Sequence, residues 1–307
     1  MHLSVNEEDE LISRIDVQFA AERGVLLSAW LYLPEGPGPY PAITMAHGYG
    51  GTREHGIEPF AQKFAENGFA VLLHDHRGFG RSEGAPRQDI DPWLQVKDWR
   101  RAISYLETRA EVDPTRIGLW GTSYAGGHAI VLGATDRRVR CVVSQVPTIS
   151  GYEQGLRRVN PDMIPVLEEA FDEDERAQLQ GNGLAYQALV SADPAVPAAY
   201  RNAEAIAFYQ QPVAEGMWKN EVTLRSTRLA RMYEPGGWIS RVSPTPLLMV
   251  VADDDRLTLT DVELAAFERA LEPKKLVLIK GGHFAPYLDQ FDRSAGAALD
   301  WFTTHLA

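Results

Sequence analysis

At 307 residues, 45% of them hydrophobic and with every aromatic type present, the chain can bury one large core or a core with an accessory lobe. A formal charge of -12, from 42 acidic and 30 basic residues with no local basic cluster, repels phosphate backbones and argues against a nucleic-acid partner. The one cysteine, Cys141, rules out an intrachain disulfide and a cysteine metal cluster.

The opening MHLSVNEEDELISR is acidic and lacks the basic flank and apolar block of a signal peptide. No run approaches membrane-spanning length, so a cytoplasmic protein with no membrane contact is expected. RIDVQFA and VLLSAWLYLP flank a turn glycine in AERG and predict an antiparallel hairpin. The short apolar runs PAITMAH, FAVLLHD, RIGLW, VRCVVSQV, PLLMVVA and KLVLIK follow, several without clean alternation, as strands buried on both faces of a parallel sheet require. Helix-like segments separate most of them: REHGIEPFAQKFAENG, PWLQVKDWRRAISYLETRA, SYAGGHAIVLGATD and TDVELAAFERALEP. This alternation predicts an α/β fold whose ligands bind at the carboxyl ends of the strands. From about Pro147 to Ser243 the text turns helical, acidic and aromatic. Residues 1–146 and 244–307 are accordingly expected to form the core, with 147–243 inserted as a helical cap over its active end.

RIGLWGTSYAGG, Arg116 to Gly127, puts Ser123 between small residues just after a strand-like run. On a sharp strand-to-helix turn the two backbones approach closely, which small neighbours such as Gly121, Ala125, Gly126 and Gly127 permit. Alone, Ser123 reads equally well as an ordinary helix N-cap. The stretch resembles the nucleophile elbow of the α/β-hydrolase superfamily, G-x-S-x-G, with Ala125 in place of the last glycine. That resemblance implies a serine nucleophile followed in chain order by an acid and a histidine. LLMVVADDDRLT ends a strand in three aspartates, and LVLIKGGHFAPY ends the next in His283. Asp255 is preferred because the following RLT resembles the family's acid loop, with Asp254 as the alternative. His305 lies in the terminal helix and is set aside for His283, which sits in a glycine-rich loop.

MAHGYGG resembles the family's His-Gly oxyanion loop, which implies the backbone N–H groups of Tyr49 and Tyr124 as oxyanion donors. HDHRGFGRSEG matches a superfamily loop that is usually structural. His74 and His76 stand near only Asp75, so no metal and no other cofactor is expected. LWGTSYAGG, RMYEPGGWISRVSPTPLLMVVADDDRLT and EPKKLVLIKGGHFAPY are similar to the branch holding dienelactone-hydrolase-like proteins, X-Pro dipeptidyl-peptidase-like hydrolases and fungal polyketide transferases. The resemblance implies acyl transfer from a small-molecule ester or lactone to water. Transfer to an alcohol, peptide or amide cleavage and C–C hydrolysis are the enzyme alternatives, and a ligand receptor on a hydrolase scaffold is the non-enzymatic one. Self-association is left open. Among the cap's aromatic residues, Trp218 and Tyr233 are expected to line the substrate pocket, because their segment leads back into the strand before Asp255.

Overall fold

Ile12–Ala20 (β1) and Leu26–Pro34 (β2) form the N-terminal hairpin, paired antiparallel from Ile12 opposite Pro34 to Ala20 opposite Leu26. The computed structural model describes residues 12–306, so the opening segment read for a targeting signal lies almost wholly outside the described residues. After Tyr40–Ala46 (β3), Glu58–Glu66 (α1), Ala70–His74 (β4) and Pro92–Glu107 (α2) comes the long strand Val112–Thr122 (β5). Tyr124–Thr135 (α3) and Val139–Gln145 (β6) complete the first half.

The sheet closes with Leu247–Ala252 (β10), Thr260–Arg269 (α8), Lys274–Ile279 (β11) and Phe291–Leu306 (α9), after the insertion described below. Its strand order is β1-β2-β4-β3-β5-β6-β10-β11. β2 pairs antiparallel with both neighbours, and every pairing from β4 to β11 is parallel. Side chains alternate across this sheet with period two. In β10, Leu247, Met249 and Val251 enter one core while Leu248, Val250 and Ala252 enter the other. The first core is shared with α2, α3 and α8, and the second with α1 and α9. A six-residue strand with no polar side chain, buried throughout, is what two covered faces demand.

Between β6 and β10 the chain leaves the sheet. Gly151–Arg158 (α4), Ile164–Leu179 (α5), Ala203–Tyr209 (α6) and Leu224–Arg231 (α7) supply the helices expected there. The expected helical cap also carries strands that the sequence reading did not anticipate: Tyr186–Val190 (β7), Ala198–Tyr200 (β8) and Val222–Thr223 (β9) form a separate three-stranded sheet. Pro194 and Pro197 bar a helix between β7 and β8, and the apolar Leu189 and Val190 are buried beneath. Leu189 packs onto the loop after β3 so closely that a Cβ at Gly50 would stand 2.7 Å from its Cδ1. The insertion thus lies against the carboxyl ends of the central strands. Among the described residues no helix is long and apolar enough to cross a membrane.

Candidate active site

Ser123 occupies the turn between β5 and α3 with φ 56° and ψ -119°, a conformation sparsely populated by non-glycine residues. The surroundings hold it there. Its N–H donates to the Gln145 carbonyl at 2.8 Å, and its own carbonyl accepts from Gly126 N at 3.0 Å and Thr148 N at 2.9 Å. A Cβ on Gly121 would fall 2.2 Å from the Ala125 carbonyl oxygen, so the β5-to-α3 approach requires glycine at that position. Ala125, where the family pattern has glycine, is fully buried without disturbing the turn.

The three residues singled out for catalysis meet at this turn. His283 Nε2 lies 2.9 Å from Ser123 Oγ, and His283 Nδ1 lies 2.7 Å from Asp255 Oδ2. With Nδ1–H donating to the carboxylate, Nε2 carries the lone pair that accepts the hydrogen bond of the Ser123 hydroxyl. Asp255 is itself fixed by four donors: Leu257 N and Thr258 N on Oδ1, and the Thr258 hydroxyl and His283 on Oδ2. Burial would raise its carboxyl, but the His283 charge, the His283 hydrogen bond and the Thr258 bonds outweigh it and hold Asp255 below the ordinary carboxylate value. The neighbouring acids do other things. Asp254 faces solvent and pairs with Arg256, so it is not the acid of this cluster. Asp253 accepts the Gly281 N–H at 2.8 Å and steadies the loop that carries His283. His305 packs on Trp301 at the end of α9, with ring centroids 4.2 Å apart.

The His47–Gly51 loop packs against the nucleophile, with Gly48 facing the Ser123 Cβ and Oγ. Among the described residues neither the Tyr49 N–H nor the Tyr124 N–H has an internal acceptor, which leaves both donors free. A network of neutral histidines holds the loop. The His76 N–H donates to His47 Nε2 at 3.1 Å, which puts the His47 proton on Nδ1, where it donates to the Gly48 carbonyl at 2.9 Å. His76 Nε2–H in turn donates to the His47 carbonyl at 3.2 Å. Burial pushes His47 down to about 4, and His74 and His128 down to about 3, so the rings are uncharged near neutral pH. The HDHRGFGRSEG loop is therefore a buttress, clasped through the buried Arg53–Asp75 pair. No group of three or more His, Cys, Asp or Glu side chains among the described residues is placed to hold a metal ion.

A family model described as X-Pro dipeptidyl-peptidase (S15 family) matches residues 23–285. The chain belongs to that family. Quorum-quenching protein AidA of Acinetobacter baumannii is 34% identical to this S15 chain over 292 residues, 94% of this chain and 93% of that protein. Thiohydrolase aneE of Aspergillus aculeatus is 30% identical over 280 residues, 89% and 86% of the two chains. The crystal structure of the α/β hydrolase GrgF from Penicillium sp. sh18 superposes with a TM-score of 0.83 at 27% identity, covering 96% and 99%. The fold is that of the α/β hydrolases, and the relatives are named as hydrolases and polyketide transferases.

Above Ser123 this S15 chain encloses a cavity of only about 20 Å³, walled by Gly48, His283, Phe208, Tyr209, Phe284 and Tyr287. That is room for about one water molecule. Phe208 stacks on Phe284 at 4.5 Å, so the cap's aromatic side chains close the site. Trp218 and Tyr233 lie outside this lining, contrary to the expectation from their segment. Trp218 Nε1–H donates to the Gly50 carbonyl at 2.8 Å, and the Tyr233 hydroxyl is buried against His128 Nδ1 at 2.8 Å. Tyr209, which the sequence offered only as one aromatic among many, both lines the cavity and donates its hydroxyl to the Tyr49 carbonyl at 2.7 Å. Phe284 and Tyr287 stand in the HFAPY stretch beside His283, and that adjacency was the available signal. A larger surface cleft of about 890 Å³, between α4, α7 and α8, shares no lining residue with the cavity.

Proposed function

We propose that the protein is a serine hydrolase that cleaves a carboxylic ester or lactone through an acyl-enzyme on Ser123. The observation that carries this reading is the hydrogen-bonded chain from Asp255 through His283 to Ser123, at 2.7 and 2.9 Å, beside two unengaged amide donors. Serine is a poor nucleophile until a base removes its proton, and His283 Nε2 stands where that proton must go. Attack on the substrate carbonyl forms the Oγ–C bond and moves the serine proton to His283. The Tyr49 and Tyr124 N–H groups receive the resulting oxyanion. Collapse breaks the bond to the leaving group, which takes the proton from His283. Water then gives a proton to His283 and attacks the acyl carbon, and collapse breaks the Oγ–C bond as His283 returns that proton to Ser123 and the carboxylic acid leaves. Asp255 keeps the ring oriented and stabilises the imidazolium in both halves.

The 147–243 insertion acts in this reading as the cap that selects the acyl group. Its aromatic walls favour an apolar or aromatic acyl chain, which must displace Phe208 to reach Ser123 because the closed cavity is far too small. Thiohydrolases among the relatives add thioesters to the candidate leaving groups, since the carbonyl under attack is the same. Polyketide transferases among them favour a second reading, in which an alcohol replaces water in the second half. Peptide cleavage from a free N-terminus fits less well, because none of the residues described around the cavity is a carboxylate that could hold an ammonium group. The test is a screen of ester, lactone, thioester and anilide substrates on purified wild type and Ser123→Ala, with and without an added alcohol. Ester, lactone or thioester turnover that Ser123→Ala lacks supports the reading. Turnover that survives the substitution removes it.

A further inference from the structure

Buried side-chain polar atoms are nearly always hydrogen-bonded, so an orphan beside a nucleophile calls for a reason. Among the described residues several buried side chains carry such an atom, but only one of them walls the cavity above Ser123. It is His55. Its ring is 2% exposed and lines the same cavity as Ser123, Gly48 and His283. The Thr52 N–H donates to His55 Nδ1 at 3.0 Å, and the Thr52 hydroxyl lies 2.9 Å from the same atom. An amide N–H can only donate, so Nδ1 is bare and the ring proton is on Nε2. Burial, which pushes His55 down to about 4, agrees with this neutral ring. The orphan is therefore a donor, Nε2–H. The Tyr209 carbonyl is near enough to act on the ring but makes no hydrogen bond of ordinary geometry with it.

Three cap rings enclose His55, with centroids at 5.4 Å for Trp218, 5.9 Å for Tyr209 and 6.3 Å for Phe208. The first two are held in place, Trp218 by its bond to the Gly50 carbonyl and Tyr209 by its bond to the Tyr49 carbonyl. Phe208 has no such tether. It is also the ring that an acyl chain displaces on its way to Ser123, so the displacing chain comes to rest against His55. We propose that His55 is a specificity-determining residue, whose Nε2–H donates to an oxygen carried by the acyl chain at the second or third carbon, close to the scissile carbonyl. The closeness follows from the cavity, since His55 and Ser123 share one small space. Acyl groups bearing a hydroxyl or carbonyl oxygen there are preferred to plain hydrocarbon chains, because a chain without the acceptor leaves the buried donor unpaired. The proposal narrows the substrate class and rests on the reading of Ser123 as the acyl-forming nucleophile.

The test measures kcat/KM for methyl butanoate, methyl 2-hydroxybutanoate, methyl 3-hydroxybutanoate and 2-methoxyethyl butanoate, the last with its added oxygen in the alcohol part. Wild type, His55→Asn, His55→Gln and His55→Phe are compared as full-length proteins. The ratio of each oxygenated ester to the plain one is taken within each protein, and comparing ratios between proteins cancels the esters' intrinsic reactivities. Asparagine Oδ1 stands where Nδ1 stood and keeps the Thr52 N–H paired, but the Nε2–H donor is gone. Glutamine does the reverse. Loop support and substrate recognition are thereby separated. In His55→Asn and His55→Phe the ratio for at least one hydroxy ester should fall about 3- to 10-fold, the effect of one neutral hydrogen bond, and His55→Gln should stay within about 2-fold of wild type. The 2-methoxyethyl ratio should not move. Hydroxy-ester ratios unmoved in His55→Asn, equal falls in His55→Asn and His55→Gln, or a fall confined to the 2-methoxyethyl ester each overturn the proposal. Should His55→Phe fail to fold, the asparagine and glutamine variants decide by themselves. Fluorophosphonate labelling of the wild type separates the two readings: a labelled Ser123 with unmoved ratios overturns the role of His55 alone, and an unlabelled wild type overturns both.

Discussion

Replacing Trp218 by Phe would remove one hydrogen bond and little else. The ring that stacks on Tyr209 at 6.4 Å and 9° is kept in reduced form, and the Gly50 carbonyl loses its only described donor. Tyr209→Phe removes the matching bond, at 2.7 Å, to the carbonyl of Tyr49 itself. Both acceptors belong to the peptide run that presents the Tyr49 N–H, so the cap fixes the position of that donor. Losing a net hydrogen bond is worth about 1 kcal/mol, and leaving a buried carbonyl unpaired about 1–3 kcal/mol. If half or more of that appears as displacement of the loop in the transition state, Trp218→Phe should lower kcat about 3- to 10-fold and Tyr209→Phe about 10- to 100-fold. The ceiling is the loss of an entire oxyanion donor, about 100- to 1000-fold. The assay is kcat and KM on one small and one bulky ester, with Tm measured alongside. The two esters should lose kcat equally, with KM little changed. An unchanged kcat, or a loss confined to KM for the bulky ester, refutes the oxyanion-loop role and returns Trp218 to the pocket wall.

Asp255→Asn should reduce kcat/KM by about 10³- to 10⁴-fold by disturbing the His283 tautomer, whereas solvent-facing Asp254→Asn should stay within about 3-fold of wild type. Asp253→Asn should fall between them, through its bond to Gly281, and equal effects at all three positions would contradict the geometry. Phe208→Ala opens the cavity beside Ser123 and should raise the bulky-to-small ratio of kcat/KM by roughly 10-fold, as a site that discriminates by volume requires. Five buried histidines, His47, His55, His74, His76 and His128, are held below the ordinary value of 6.5, with burial the main cause for each. Between pH 6.5 and about 4 the unfolded chain therefore binds more protons than the folded one, so stability is present above pH 6.5 and is lost as pH falls. Each such group contributes about 1.4 kcal/mol per pH unit in that window, and Tm should drop steeply below pH 6. A Tm that stays flat from pH 7 to pH 5 would show that the rings are not buried neutral.

The sheet was legible because a parallel strand covered on both faces has no polar side to disguise it, as the AVLLH and LLMVVA runs illustrate. Ser123 and His283 stood out for a related reason: each follows such a run at the carboxyl end, where the sheet projects side chains into one region. Choosing among Asp253, Asp254 and Asp255 needed the family resemblance, since three adjacent carboxylates carry no periodicity that tells which one turns inward. The cap was less readable. An aromatic residue gives the same signal whether it walls a cavity or donates to a loop, so Trp218 was assigned to the pocket although its indole N–H ends on the Gly50 carbonyl. β7 and β8 are too short for alternation to register, and proline spacing alone did not announce them. Nothing in TDVELAAF marks Glu263 as other than an acid at a helix start. Only three-dimensional packing shows that it is fully buried.

Treatment of the wild type with a fluorophosphonate, followed by peptide mass spectrometry, tests the central claim most directly. Such a reagent phosphonylates a serine whose proton a neighbouring base removes during attack, and leaves an unactivated hydroxyl untouched. The triad geometry predicts one adduct, on the peptide containing Ser123, formed rapidly in wild type and more slowly by several orders of magnitude in His283→Ala. Ser123→Ala should carry none, while keeping a wild-type melting curve. An adduct on another residue, or a wild type that stays unlabelled while folded, would contradict the account.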